Sequence, residues 1–150
     1  MPTLANNKEV RFHYEILDEI EAGIVLSGAE VKSVKLGQIN LKGSYITLRE
    51  EIPYLMNCHI SPYAKAKGAQ TDYNPDRERR LLLRSDQIKN LIGKRLTEGL
   101  TLVPLSLYTR GSFIKVKIGV GRGKRKADKR ESIKKREVDR NIQRAMKQSR

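Results

Sequence analysis

The run Phe113-Ile-Lys-Val-Lys-Ile-Gly-Val120 alternates at a period of two, with Phe113, Lys115 and Lys117 on one side and Ile114, Val116 and Ile118 on the other. A helix would scatter these residues around its circumference, whereas an extended chain gives one apolar and one polar face. The apolar stretch Leu100–Tyr108 precedes it across Thr109-Arg-Gly-Ser112, a turn composition, so the two segments read as an antiparallel hairpin. A lone hairpin is marginal in water, so this one needs further strands to close a core.

The remaining strands are readable upstream. Arg11–Leu17 reads as a strand with Phe12, Tyr14 and Ile16 on one face, and Glu21–Leu26 as a second strand close enough to pair with it. Residues 1–8 are polar and read as a frayed end. Tyr45–Leu48 and Tyr54–Asn57 are joined by a turn through Glu50, Glu51 and Pro53, and Arg79–Leu83 reads as a buried strand. Between them, Ser27 and Glu30 have capping-box spacing, Leu26 and Val31 form a hydrophobic staple, and Gly37 suits a left-handed helix exit. In that helix Val31 and Val34 face inward, and Lys32, Ser33 and Lys35 face solvent. Gln serves at the Glu30 position of a capping box, so on capping alone Glu30→Gln keeps the fold and removes only the charge. A second helix is capped by Ser85, carries Ile88, Leu91 and Ile92 at helical spacing, and stops at Gly93. Pro62–Asp76 reads as a mobile loop. The expected fold is mainly β: an OB-like antiparallel six-stranded barrel with small flanking helices, spanning residues 1–122.

Charge marks off the remainder. The chain carries a net charge of +14; Gly121–Arg150 holds 13 Lys/Arg against 4 Asp/Glu, while the first 120 residues hold 18 against 13. A mildly basic body thus bears a strongly basic tail, residues 123–150, whose field attracts polyanions. Val138, Ile142, Ala145 and Met146 form a weak helical stripe there that cannot bury enough to persist alone. The tail is expected to be disordered in solution and helical on a partner. No apolar run has the length of a membrane span, the N-terminus lacks a secretory signal, and the single Cys58 forms no internal disulfide. A soluble, cytoplasmic monomer is expected.

Catalytic chemistry finds little support. His13 and His59 lie in strand-like contexts, Cys58-His59 lacks metal-ligand spacing, and Glu50-Glu51 would point to opposite faces of a strand. The Gly121/Gly123 pair lacks the Gly and Lys-Ser/Thr of a phosphate loop. No enzyme, cofactor or metal site is expected. Nucleic-acid binding fits better, since lysines neutralise phosphates and surface tyrosines stack on unpaired bases. Tyr14 and Tyr45 read as strand packing, and Tyr63 and Tyr73, in or near the loop, as residues placed to reach a ligand.

Several segments in order resemble the SsrA-binding proteins (small protein B) of bacteria: Glu21–Ser33, Asn40–Tyr45, Asn57–Tyr63, Arg80–Leu83, Gly99–Pro104, Arg122–Lys124 and Asp128–Arg130. The resemblance runs from about Arg11 onward and implies an OB-like barrel with an unstructured basic tail. It also implies an adaptor that binds transfer-messenger RNA and brings it to stalled ribosomes for rescue and tagging. The partners it implies are that RNA and the ribosome, at the small-subunit decoding centre and messenger channel. Alanyl-tRNA synthetase and elongation factor Tu would be reached through the RNA, and no membrane is involved.

By position, the resemblance places Glu30, Lys32, Ser33, Lys35, Asn40, His59, Ser61, Pro62, Tyr63, Arg80, Leu82 and Lys115 on the RNA face. Gly123, Lys124, Asp128, Lys129, Arg130, Lys134, Lys135 and Arg136 fall on the ribosomal element. Ala127 stands where family members commonly carry a histidine, and the Tyr73–Arg80 segment is shorter than is usual in the family. A ribosomal structural protein with an OB-like body and basic extension is the alternative reading. An RNA-processing enzyme is disfavoured by the lack of clustered metal ligands.

Overall fold

A computed structural model describes residues 3–64, 72–124 and 140–142. Asp128, Lys129, Arg130, Lys134, Lys135 and Arg136 lie outside the described residues. In chain order the elements are β1 (Thr3–Asn6), α1 (Val10–His13), β2 (Tyr14–Ile24), α2 (Gly28–Lys35), β3 (Ile39–Asn40), β4 (Tyr45–Arg49), β5 (Ile52–Met56), β6 (His59–Ile60), β7 (Arg79–Leu82), α3 (Ser85–Glu98), β8 (Thr101–Arg110) and β9 (Phe113–Gly123). Beyond β9, residues 140–142 form a helical turn in which Ile142 is exposed.

The hairpin forms as its alternation requires. Arg110 pairs with Phe113 across a two-residue turn, and Ile114, Val116 and Ile118 are buried while Phe113 stands out. Around it the main sheet runs β1-β8-β9-β2-β7-β5-β4, every pairing antiparallel. β4 returns to contact β8, so the six strands from β8 to β4 curl into the expected barrel, with β1 added on the outside of β8. β3 and β6 make a separate small pair. The interior is filled by Leu55, Leu81, Leu107, Val116 and Ile118, all essentially inaccessible. At roughly 1.5–3 kcal/mol for each such side chain, this burial is the main stabilising term.

Several local expectations give way to tertiary context. Arg11–Leu17 is not a strand paired with Glu21–Leu26. Instead a single helical turn, α1, leads into one continuous strand, β2. β2 pairs with β9 from Tyr14↔Gly123 to Gly23↔Lys115, with a bulge between Ile16 and Asp18. The N-terminus is not frayed throughout, because Thr3–Asn6 add to the edge of β8. The β4–β5 turn is the pair Glu50-Glu51, both at positive φ, and Pro53 lies within β5.

α3 does not stop at Gly93. It continues to Glu98 and ends at Gly99, whose φ of +64° is the left-handed exit that glycine adopts without strain. Its first turn is capped by Gln87, whose Oε1 accepts from the Arg84 N–H at 3.1 Å, rather than by Ser85. β9 reaches Gly123, and the Lys124 N–H donates to His13 O at 2.8 Å, so the barrel extends past residue 122. Among the described residues no helix is long and apolar enough to cross a membrane.

Candidate nucleic-acid interface

α2 is held in place from inside. The capping box forms as read: the Ser27 N–H donates to Glu30 Oε1 at 2.9 Å, and the Glu30 N–H donates to Ser27 Oγ at 3.2 Å. The far side of the carboxylate does more. Arg79 Nε and Nη2 donate to Glu30 Oε2 at 3.0 and 2.6 Å, Arg77 Nε donates to the same oxygen at 3.1 Å, and Arg77 Nη2 pairs with Oε1. Tyr73 Oη lies 3.1 Å from Glu30 Oε2 and 2.9 Å from Ile60 O, and it accepts from Arg79 Nη2 at 3.0 Å. Arg79 also donates to Pro75 O at 2.9 Å and to Cys58 O. One carboxylate thereby joins α2, the start of β7, the Cys58–Ile60 segment and the Tyr73–Arg77 arm.

The electrostatics follow from the geometry. Glu30 and Arg79 are 1% and 0% exposed. Burial by itself raises the Glu30 pKa, but hydrogen bonds from Arg77, the Ser27 N–H and Arg79 outweigh it and hold the carboxyl at about 2. Burial, reinforced by the Glu30 charge, pushes Tyr73 up to about 12, and burial pushes the Cys58 thiol up to about 11. Neither group is a nucleophile near neutral pH. No group of three or more His, Cys, Asp or Glu among the described residues is placed to hold a metal ion.

These contacts correct three site expectations. Glu30 and Ser33 are buried, so neither side chain is presented to an RNA, and the Ser33 hydroxyl has no hydrogen-bond partner among the described residues. α2 packs on its Glu30/Ser33/Val34 face, because Arg79, the wholly buried partner of Glu30, lies inside the protein. Tyr73 is committed to the buried cluster rather than to a ligand. Tyr45, expected to be packed, is 44% exposed.

The other expected residues reach the surface. Lys32 and Lys35 project from α2, with Lys32 Nζ 5.5 Å from the Tyr63 ring centroid. Asn40 and His59 are exposed register partners in the β3–β6 pair; Asn40 Oδ1 accepts from the Lys42 N–H and His59 Nδ1 lies 3.0 Å from Asp76 Oδ1. The Ser61 N–H donates to Gln38 O at 3.1 Å, which fixes the chain leading to exposed Pro62.

Arg80 and Leu82 share the outer face of β7. Leu82 and Lys115 both pair with Gly23, so they flank it across β7, β2 and β9. Leu26 and Val31 line the same groove and tie it to α2. Lys32, Lys35, Arg80 and Lys115 have no carboxylate partner among the described residues. Along β2 and its neighbours, by contrast, Arg11, Lys94, Arg110, Lys117 and Arg122 are each matched to Asp18 or to Glu15, Glu19 or Glu21. Unmatched positive charge therefore gathers on α2 and the groove.

Sequence reasoning missed Arg77 and Arg79. The available signal was an arginine opening an apolar strand: a buried guanidinium requires a buried carboxylate, and Glu30 was the one already fixed in position by its cap.

The SmpB protein family model matches residues 4–148. An SsrA-binding protein of Acaryochloris marina is 47% identical over 144 residues, covering 96% of this chain and 93% of its own. One from Enterococcus faecalis is 45% identical over 147 residues, covering 98% and 94%. A solved structure described as "tmRNA-SmpB: a journey to the center of the bacterial ribosome" matches with a TM-score of 0.65 and 40% identity, over 86% of this chain and 93% of that one. With a match that runs from the first strand through the basic C-terminal segment, the chain belongs to the SmpB family of SsrA-binding proteins.

Proposed function

We propose that this protein is an RNA-binding adaptor that holds transfer-messenger RNA on its barrel and delivers it to stalled ribosomes for rescue and tagging. The observation that carries this is family membership over nearly the whole chain, basic C-terminal segment included. Lys32, Lys35, Arg80 and Lys115, on α2, β7 and the groove and without a carboxylate partner among the described residues, support it.

In this reading Lys32, Lys35, Arg80 and Lys115 neutralise phosphates, and the release of condensed counterions drives association. Asn40, His59, Pro62 and Tyr63 supply polar and stacking contacts beside them. Glu30 acts indirectly: it fixes α2 and the Tyr73–Arg77 arm before the RNA arrives, so little ordering cost remains on binding. Residues 123–150 form the ribosomal element, in which Gly123, Lys124, Asp128, Lys129, Arg130, Lys134, Lys135 and Arg136 meet the decoding centre and messenger channel. The protein works in the cytoplasm as a monomer and binds without chemistry of its own.

Sequencing the RNA that copurifies with the tagged protein tests this. Strong enrichment of transfer-messenger RNA is expected. Stoichiometric ribosomal RNA that persists through a high-salt wash, without that enrichment, would instead make it a structural component of the ribosome.

A further inference from the structure

Phe113 is 67% exposed, the highest value among the described large apolar residues, and Leu82 beside the same groove is 52% exposed. Neither exposure is an accident of a loose loop. Phe113 is the first residue of β9, paired with Arg110, and Lys115 Nζ lies 5.6 Å from its ring centroid. Leu82 lies directly opposite Gly23, and a Cβ built on Gly23 would stand 3.2 Å from Leu82 Cβ. The bare backbone of Gly23 thus lets the leucine settle across β2 and leaves a shallow apolar floor between Leu82 and Phe113. Leu26 and Val31 extend that floor, and Lys115 stands at its edge. Arg84, Arg110 and Glu21 lie along the adjoining groove; Arg84 pairs with Asp86 and Arg110 with Glu21, so among the described residues the unmatched cation on the rim of this apolar surface is Lys115.

A purely apolar partner would leave the Lys115 charge unused, and a purely acidic one would leave the floor unused. An aromatic face carrying a negative phosphate on its ribose matches both. From this pairing of floor and rim we infer that Phe113 and Leu82 form the seat for one unpaired, splayed-out RNA base, with Lys115 taking the adjoining phosphate. Resting on the proposed RNA-binding role, the inference adds a residue, Phe113, and a ligand class, an unstacked nucleotide. A base inside a regular duplex has no free face to offer, so the seat favours RNA with a folded loop over a plain helix.

The chain contains no tryptophan, so Phe113→Trp introduces a single reporter at the seat. Full-length protein is titrated with transfer-messenger RNA and with an unrelated RNA hairpin of equal length. The expected result is that Phe113→Trp binds transfer-messenger RNA within about twofold of wild type and its fluorescence is quenched at saturation. Phe113→Ala should weaken binding roughly 5- to 150-fold, the range for losing one base–aromatic stack, with an unchanged salt slope. Phe113→Leu, which keeps an apolar side chain but no ring, should fall nearer to Ala than to wild type.

A silent reporter at saturation, an Ala variant that binds as wild type, or a Leu variant equal to wild type each overturns the seat. The last of these would leave a generic apolar contact. Wild-type protein that does not prefer transfer-messenger RNA to the hairpin overturns the proposed function instead. The seat is then judged by the same reporter on the hairpin's loop, where absence of quenching refutes it.

Discussion

Replacing Glu30 by Gln should unfold much of what holds α2, contrary to what capping alone implies. The Gln side chain can still accept from the Ser27 N–H, but it leaves Arg79, which is wholly buried, without a counter-charge. Two routes give the size of the effect. The difference between an ordinary 4.5 and about 2 makes ionised Glu30 roughly 3 kcal/mol more favourable in the folded state than in the unfolded one. Removing one partner of a buried ion pair typically costs about 3–5 kcal/mol. At about 4 °C per kcal/mol for a barrel of this size, Tm should fall by roughly 12–20 °C.

Urea unfolding followed by circular dichroism at pH 7 and pH 3 measures this. Because the folded pKa is depressed, the Glu30 contribution is complete above pH 4.5 and is lost as the pH falls through about 2, below which both states are protonated. The wild type should lose that component on acidification and the Gln variant should not, so the gap between them narrows at pH 3. A loss below about 1 kcal/mol at pH 7, or a gap of the same width at pH 3, would refute the assignment of Glu30 as the charge that balances Arg79.

Three further outcomes are expected. Changing Lys32, Lys35 and Lys115 together to Ala should flatten the salt dependence of RNA binding by slightly under one log unit per contact, about 0.7–0.9; an unchanged slope removes that face from the interface. A chain ending at Lys124, which keeps the Lys124–His13 hydrogen bond, should fold and bind transfer-messenger RNA yet fail to support tagging in a reconstituted stalled-ribosome assay. A scrambled tail of equal charge that restores tagging would reduce the segment to electrostatic glue. Gly121→Ala should destabilise by at least the upper end of the roughly 1–3 kcal/mol usual for overpacking, because its Cβ would lie 2.1 Å from Glu15 O, a backbone atom that cannot swing aside; thermal unfolding within a degree of wild type would contradict this.

What the sequence made legible was whatever local geometry decides. Ser27, Glu30 and Gly37 are a cap and an exit a few residues apart, and Phe113–Ile118 is an alternation that only one kind of structure satisfies. Where a partner lies far along the chain, local reading fails. Thr3–Asn6 has no pattern of its own and becomes a strand because the edge of β8, about a hundred residues later, offers unpaired backbone groups. At Val10–His13 a single turn of helix replaces the expected start of a strand, and Tyr14 and Ile16, without Phe12, pack on Val10, Val103 and Leu105, a grouping that local alternation does not reveal. Gly93 reads as a stop, but an exposed helical glycine costs only about 1 kcal/mol, which the packing of Leu91 offsets.

The same limit shaped the site. The solvent-facing lysines of α2 followed from helical spacing. The burial of Ser33 did not, since it depends on which way Glu30 must turn to meet Arg79, 49 residues on.

The long ladder between β2 and β9 sets a length. It begins at Tyr14↔Gly123, where the C-terminal segment departs, and ends at Gly23↔Lys115, where the groove opens. At roughly 3.3 Å per residue the two ends are about 30 Å apart. The barrel is therefore a gauge, and its graduations are hydrogen-bonded pairs that cannot slip without turning every side chain to the wrong face. Adding or removing residues beyond Lys124 leaves the ladder untouched. Removing one pair from the ladder would instead shorten the calliper and rotate one jaw against the other. An RNA held at the groove would then arrive with the C-terminal segment aimed elsewhere.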